Sequence, residues 1–147
     1  MGQAVVVLKK GEGRTLKSGG AWVYDNEIAS VTKLACQNSD VLYVPTDNTM
    51  ASSAKTIDNI AQPAGVPIIA GEEGICSGCG IATLSISYYD IGYKAGEMAY
   101  DILVNGKDPA TMDIEFVPED KLTKEYDAAR CKALGVKVVD GYKAIES

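Results

Sequence analysis

The side chains able to carry chemistry in this sequence are few. Among its 147 residues there is no histidine. Ser-His-Asp triads, Cys-His dyads and His-ligated metals are therefore excluded. Four cysteines remain: Cys36, Cys76, Cys79 and Cys131. Only Cys76-x-x-Cys79 has a suggestive spacing. A thioredoxin-like redox pair needs a helix N-terminus to lower a thiol pKa. Here glycines flank the pair and a strand is expected next, so the sequence disfavours that reading. A four-cysteine zinc site would require Cys36 and Cys131 to converge on the pair. Both fall on expected helices, where small buried thiols are ordinary. The plainer alternative is a loop thiol pair or a local disulfide. Neither metal nor cofactor is expected.

Three short segments hold the remaining polar candidates. Pro45–Thr49 (PTDNT) follows one expected strand and opens a helix. Free backbone N–H groups there can hold a carboxylate, helped by the helix dipole. The Asp47 side chain can meet an ammonium group. The competing reading is that Thr46, Asp47 and Asn48 simply cap the helix. Gly71–Gly80 (GEEGICSGCG) also follows a strand and reads as a loop with four glycines. Glu72 and Glu73 lie where a ligand's cation would be met, or else form a solvated acidic turn. Ser87-Tyr88-Tyr89-Asp90 joins a strand to a helix. One tyrosine can face a ligand while the other packs, or both are boundary residues with Asp90 as the N-cap. In an open α/β sheet, ligands sit outside the carboxyl ends of strands, which is why the first two of these loops stand out.

The elements that must position them follow from periodicity. Ala4–Leu8 and Ala21–Tyr24 are candidate strands around the turn-rich Gly11–Gly20. Asp25 or Asn26 can cap a helix with Ile28, Val31, Leu34 and Ala35 on one face. Val41–Val44 is a buried strand closed by Pro45. The next helix carries Met50, Ala54, Ile57, Ile60 and Ala61, and Gln62-Pro63 stops it. Val66–Ala70 and Ile81–Ser87 are strands. A helix over about Asp90–Val104 carries Ile91, Ala95, Met98, Ala99, Ile102 and Leu103, and ends at Asn105-Gly106. Met112–Val117 reads as a strand, Thr123–Leu134 as a polar helix and Gly135–Val139 as a final extended piece. Strands alternating with helices predict an α/β fold, a Rossmann-like parallel sheet flanked by helices.

Length permits one domain with a sizeable core. The formal charge of −6 argues against a nucleic-acid surface, which needs clustered Lys and Arg. No apolar run approaches the roughly 20 residues of a membrane-spanning helix. Val5–Leu8 is too short for a signal-peptide core and no cleavage site follows it.

Three strings carry a resemblance: DVLYVPTDNT, then VPIIAGEEGICSGCGIATLSISYYDIGYKAGEMA, then ALGVKVVDGYKAIE. In this order and spacing they resemble the tryptophan/tyrosine-type substrate-binding proteins of ABC transporters, over about Asp25–Glu146. The resemblance implies one lobe of a type I periplasmic-binding-protein fold, in which two Rossmann-like lobes close on a small ligand through hinge crossings. It implies no catalysis, an amino-acid ligand (aromatic for the nearest relatives) and a membrane permease as partner. Such proteins work outside the cytoplasm, often as lipoproteins, whereas this chain, lacking a signal peptide, is expected in the cytoplasm unless exported otherwise. Residues 25–147 correspond to a second-lobe portion, and 1–24 form an atypical leader. The helix over about 90–104 would belong to the first lobe. In the intact fold Thr46, Asp47, Asn48, Thr49, Glu72, Glu73, Tyr88, Tyr89 and Asp90 would line the cleft. The alternatives are a thiol oxidoreductase on Cys76 and Cys79, or a structural oligomer. An incomplete lobe with an apolar helix stripe is further expected to self-associate, as a homodimer or larger.

Overall fold

The computed structural model describes residues 3–10, 16–23 and 28–145. Its chain divides into two compact units, Met1–Ser85 with Lys124–Ser147, and Ile86–Thr123.

The first unit is built on strands β1 (Gln3–Lys10), β2 (Leu16–Val23), β3 (Val41–Val44), β4 (Ile68–Ala70), β5 (Ala82–Ser85), β6 (Thr123–Tyr126) and β7 (Lys143–Ala144). They form one seven-stranded sheet in the order β2-β1-β3-β4-β5-β6-β7. The expectation of a parallel sheet holds for β3, β4 and β5, and for the β6–β7 pair. It fails at the N-terminal edge. There β1 and β2 form an antiparallel hairpin, and β1 runs antiparallel to β3, with Val6 opposite Tyr43. A hairpin reverses direction within a few residues, so its strands cannot be parallel. The sheet is mixed. The expected cap at Asp25 or Asn26 and residues 11–15 of the turn-rich Gly11–Gly20 lie outside the described residues, whereas Leu16–Gly20 of that segment belongs to β2.

Helices α1 (Ile28–Gln37), α2 (Asn48–Ser52), α3 (Ala54–Ala61), α4 (Glu73–Cys79) and α6 (Ala128–Ala133) accompany this sheet. Leu42, Val44, Met50, Ile57, Ile68 and Ile75 are almost completely buried at the centre of the core. Alternation explains the strands: in β3 Leu42 and Val44 point in while Val41 and Tyr43 are half-exposed. The α1 stripe is partly misread, because Leu34 is 60 % exposed and Thr32 takes an inward position. One expected helix divides at Ser53 into α2 and α3, yet buries Met50, Ala54, Ile57 and Ala61 as the period requires.

Two further expectations change. Gly71–Gly80 is not a loop, since Glu73–Cys79 is α4. The glycines are there for packing. A Cβ on Gly78 would stand 2.4 Å from the Ala54 Cβ, and one on Gly80 2.9 Å from the Ala70 Cβ. Thr123–Leu134 is not one helix either: Thr123–Tyr126 joins the sheet as β6, Asp127 caps, and α6 follows.

The second unit holds α5 (Tyr88–Leu103) and an irregular return. Ser87 is the N-cap, its hydroxyl accepting from Asp90 N, so Asp90 lies in the first turn rather than at the cap. After the helix, Gly106 adopts φ +72°, the left-handed conformation glycine allows. Met112–Val117, expected as a strand, belongs to no strand; it lies between short 3-10 turns at Pro109–Thr111 and Glu119–Lys121. A strand needs a neighbour to take its hydrogen bonds.

Candidate functional site

The loops after β3 and β4 meet in the first unit. Gly71 N donates to Val44 O at 2.8 Å, and the Thr46 hydroxyl donates to Gly71 O at 3.1 Å. The approach is so close that a Cβ on Gly71 would lie 2.6 Å from Thr46 N and 2.9 Å from Pro45 C. Only glycine fits there. The absence of one side chain thus brings Thr46–Thr49 and Glu72–Glu73 to neighbouring loops at the carboxyl ends of adjacent parallel strands.

The polar groups of these loops are engaged locally. Asp47 is the N-cap of α2, where Oδ1 accepts from Thr49 N at 2.8 Å and Met50 N at 2.9 Å. Those two N–H groups are therefore engaged by Asp47 itself. Glu72 is buried and caps α4, accepting from Gly74 N at 2.8 Å and from Ile75 N. Glu73 is exposed at its side chain, while its N–H donates to the Ser85 hydroxyl at 3.1 Å. Tyr88, Tyr89 and Asp90 lie in the first turn of α5, in the second unit, all exposed. The Tyr89 and Tyr93 rings stack at 6.4 Å between centroids.

Sequence reasoning missed three residues. Ser85 ties the start of α4 to β5. Glu125 on β6 has its Oε2 buried without a hydrogen-bond partner. Burial pushes its carboxyl above the usual carboxylate range, Glu73 pushes the same way, and Lys143 opposes them. Arg130 is the third. Its Nε donates to Asp58 Oδ1 at 2.9 Å and one terminal nitrogen to Asp127 Oδ2 at 2.6 Å. The guanidinium also donates to the carbonyls of Ser77 at 3.0 Å and Gly78 at 2.8 Å, closing the C-terminal end of α4. One arginine thereby joins α3, α4 and α6. The available signal was Asp127-x-x-Arg130, the spacing of an i,i+3 helix pair; the partner Asp58 lies 72 positions away.

Cys76 and Cys79 are buried on α4 as free thiols. Burial pushes both thiols up to about 12. For Cys76 the nearby Asp127 adds to the rise, and for Cys79 Arg130 opposes it. A redox pair needs the opposite shift. Among the described residues no group of three or more Cys, Asp or Glu side chains gathers as a metal site requires.

A mixed α/β sheet with polar loops at the carboxyl ends of its parallel strands defines a lobe of the binding-protein type. The ABC transporter substrate binding protein family matches residues 16–140, and the chain belongs to that family. That match begins upstream of Asp25, where the resemblance in the sequence starts. A "Tyrosine-binding protein" from Clostridioides difficile is 36 % identical over 108 residues, covering 74 % of this chain and 31 % of that protein. The crystal structure of an ABC domain in complex with L-Trp from Streptococcus pneumoniae superposes with a TM-score of 0.70 at 25 % identity, over 82 % of this chain and 42 % of that one. The ligand-free, open structure of a substrate-binding protein with adhesive properties from Clostridium difficile gives 0.58 at 33 %, over 84 % and 42 %. The chain spans less than half the length of these relatives. The family is one of binding proteins rather than enzymes.

Proposed function

We propose that this chain supplies one wall of a cleft that binds an aromatic amino acid for delivery to an ABC permease outside the cytoplasm. The observation that carries the reading is the glycine-enforced meeting of Pro45–Thr49 with Gly71–Glu73, in a chain of this family whose relatives include a tyrosine-binding and a tryptophan-bound protein. The ligand carboxylate is assigned to the helix end at Asn48. Asp47 meets the ammonium, because its cap uses Oδ1 alone. Glu72 shapes the loop by capping α4, and the exposed Glu73 adds negative potential. Tyr88, with Tyr89 and Asp90 beside it, contacts the ligand side chain. Residues 25–147 act as the second-lobe portion, including the α5 helix that would belong to the first lobe in the intact fold.

One wall binds weakly, since enclosure normally buries most of a small ligand. Titrating the isotopically labelled chain with L-tryptophan, L-tyrosine, glycine and L-glutamate tests this by NMR. The expected result is shifts at residues 45–49 and 71–74 with the aromatic ligands only, at a Kd of about 1 mM or weaker, near −4 kcal/mol. Shifts mapping elsewhere, or equal for all four ligands, would overturn the site. Micromolar affinity would overturn the half-cleft.

A further inference from the structure

Among the described residues, two buried side-chain oxygens have no hydrogen-bond partner: Thr83 Oγ1 on β5 and Glu125 Oε2 on β6. Buried polar atoms are nearly always bonded, so each exception asks for an explanation. These two lie side by side. Strands β5 and β6 are neighbours in the sheet, and Asp127 N, just past β6, donates to Ile81 O, just before β5, at 2.9 Å. The direction of β6 follows from α4. Glu73 at the start of α4 donates its N–H to Ser85, and Gly80 past its end leads into Ile81, so α4 runs back along β5. Glu73 is also near enough to act on the Glu125 carboxyl. Glu125 therefore lies toward Ser85 and Asp127 toward Ile81, which makes β6 antiparallel to β5. An antiparallel pair that sets Asp127 against Ile81 sets Glu125 against Thr83, on the same face. On β5 that face is the buried one, shared with Ser85, while Leu84 points away. Thr83 is 1 % exposed, whereas Glu125 is half-buried, so part of the residue remains open to a ligand. Lys143 also acts on the carboxyl but makes no hydrogen bond to Oε2.

We propose that Glu125 is the acceptor for the polar tip of the ligand's aromatic side chain, so that the cleft selects aromatic amino acids ending in an N–H or O–H. This rests on the cleft assigned above to Pro45–Thr49 and Gly71–Glu73. The span argues for the tip rather than the ammonium. Three strand spacings separate β3 from β6, ~14 Å at about 4.8 Å each. An ammonium held at Asp47, beyond β3, is thus out of reach of Glu125. An aromatic amino acid measures on the order of 7 Å from ammonium to polar tip, and a hydrogen bond at either end adds about 3 Å. The sum bridges the two strands, and the ligand crosses the loop after β4 on the way. Tyrosine and tryptophan end in such a donor and phenylalanine does not. A site built around an acceptor discriminates against the ligand that leaves that acceptor unpaired.

NMR titration of the labelled chain with L-tryptophan, its indole-N-methyl analogue and L-phenylalanine tests the assignment. The analogue keeps the ring and loses the donor, and phenylalanine controls for the bulk of the added methyl. Shifts at residues 45–49 report binding to the cleft. The expected result is that tryptophan binds about fivefold tighter than either of the others. Glu125→Ala should remove that preference, tryptophan falling to the level of the other two. Glu125→Gln, which keeps the shape with a weaker acceptor, should reduce the preference to about twofold. A purely structural role for Glu125 would weaken all three ligands alike and leave their ratios unchanged. Equal binding of tryptophan and its methylated analogue by the parent, or a preference that survives Glu125→Ala, would overturn the assignment of Glu125 while leaving the cleft in place. Absence of shifts at residues 45–49 with every ligand would overturn the cleft and this assignment with it.

Discussion

The chain's two units solve the problem of apolar surface in opposite ways. Among the described residues, every buried one lies in the first unit, where helices α1–α4 and α6 accompany the sheet and Arg130 ties three helices together. In the second unit, Ile86–Thr123, Ile114 is 83 % exposed and Phe116 85 %. Similar side chains therefore have different consequences. Ile75 is stabilising because α3, β4 and β5 surround its helix, whereas Ile114 lies in an extended segment that no strand pairs. A stretch of 38 residues is below the size at which a core usually sustains itself.

The largest effect that would test this contrast is at Arg130. Replacing it with Ala leaves Asp58, whose side chain is 7 % exposed, with only the exposed Lys55 at 3.7 Å as a counter-charge, and removes the donor to the α4 carbonyls. Breaking such a pair costs about 3–5 kcal/mol, to be read from the urea midpoint. Ile75→Ala should cost about 2–5 kcal/mol by leaving a cavity, whereas Ile114→Ala should stay within about 0.5 kcal/mol. Equal losses at these two positions would break the comparison. Gly71→Ala should cost about 1–3 kcal/mol through its collision with the Pro45–Thr46 backbone. It should also shift the NMR signals of residues 45–49 and 71–74 together. A variant as stable as the parent would mean that the loops are not held against each other.

The smaller effects concern ionisation. With both thiols pushed up to about 12, Cys76 and Cys79 should be alkylated at pH 8 at least about 100-fold more slowly than in the urea-unfolded chain. Cys36, half-buried, should react first among the described cysteines. Glu125 should give a smaller signature. Its folded pKa is raised, so the folded state holds the proton more tightly than the unfolded state. That contribution is complete below the ordinary glutamate range and is lost as pH rises through the raised value. Glu125→Gln should therefore raise the melting temperature at pH 7 relative to the parent by more than at pH 4. The reverse order would mean that burial does not govern this carboxyl.

Much of the site's scaffold was readable because the determinants are local. The placement of β3 and β4 followed from apolar runs closed by proline or glycine, and that of β5 from alternation along Ile81–Ser87. The break at Gln62-Pro63 and the end of α5 near Gly106 followed from backbone chemistry that neighbours do not alter. Asp47 could be seen in advance as either cap or ligand group, and its cap bonds are present. Glu72 and the Gly71–Gly80 segment were harder. Four glycines in ten residues weaken helix propensity, and only the closeness of Ala54 and Ala70 explains why glycine stands at 78 and 80 in and after a helix.

By itself, then, the sequence determined the alternation of elements, the inward phase of α2 and α3, and membership of a binding-protein family, because periodicity, capping and motif order are properties of neighbours along the chain. The tertiary structure decided the rest. It set the N-terminal hairpin antiparallel on β3, turned an expected glycine-rich loop into α4, buried two thiols and joined Arg130 to Asp58. It also left every described residue of α5 outside the core. Each of these depends on which surfaces meet across long stretches of chain, and a local pattern cannot specify which of two apolar helix faces its own chain will cover.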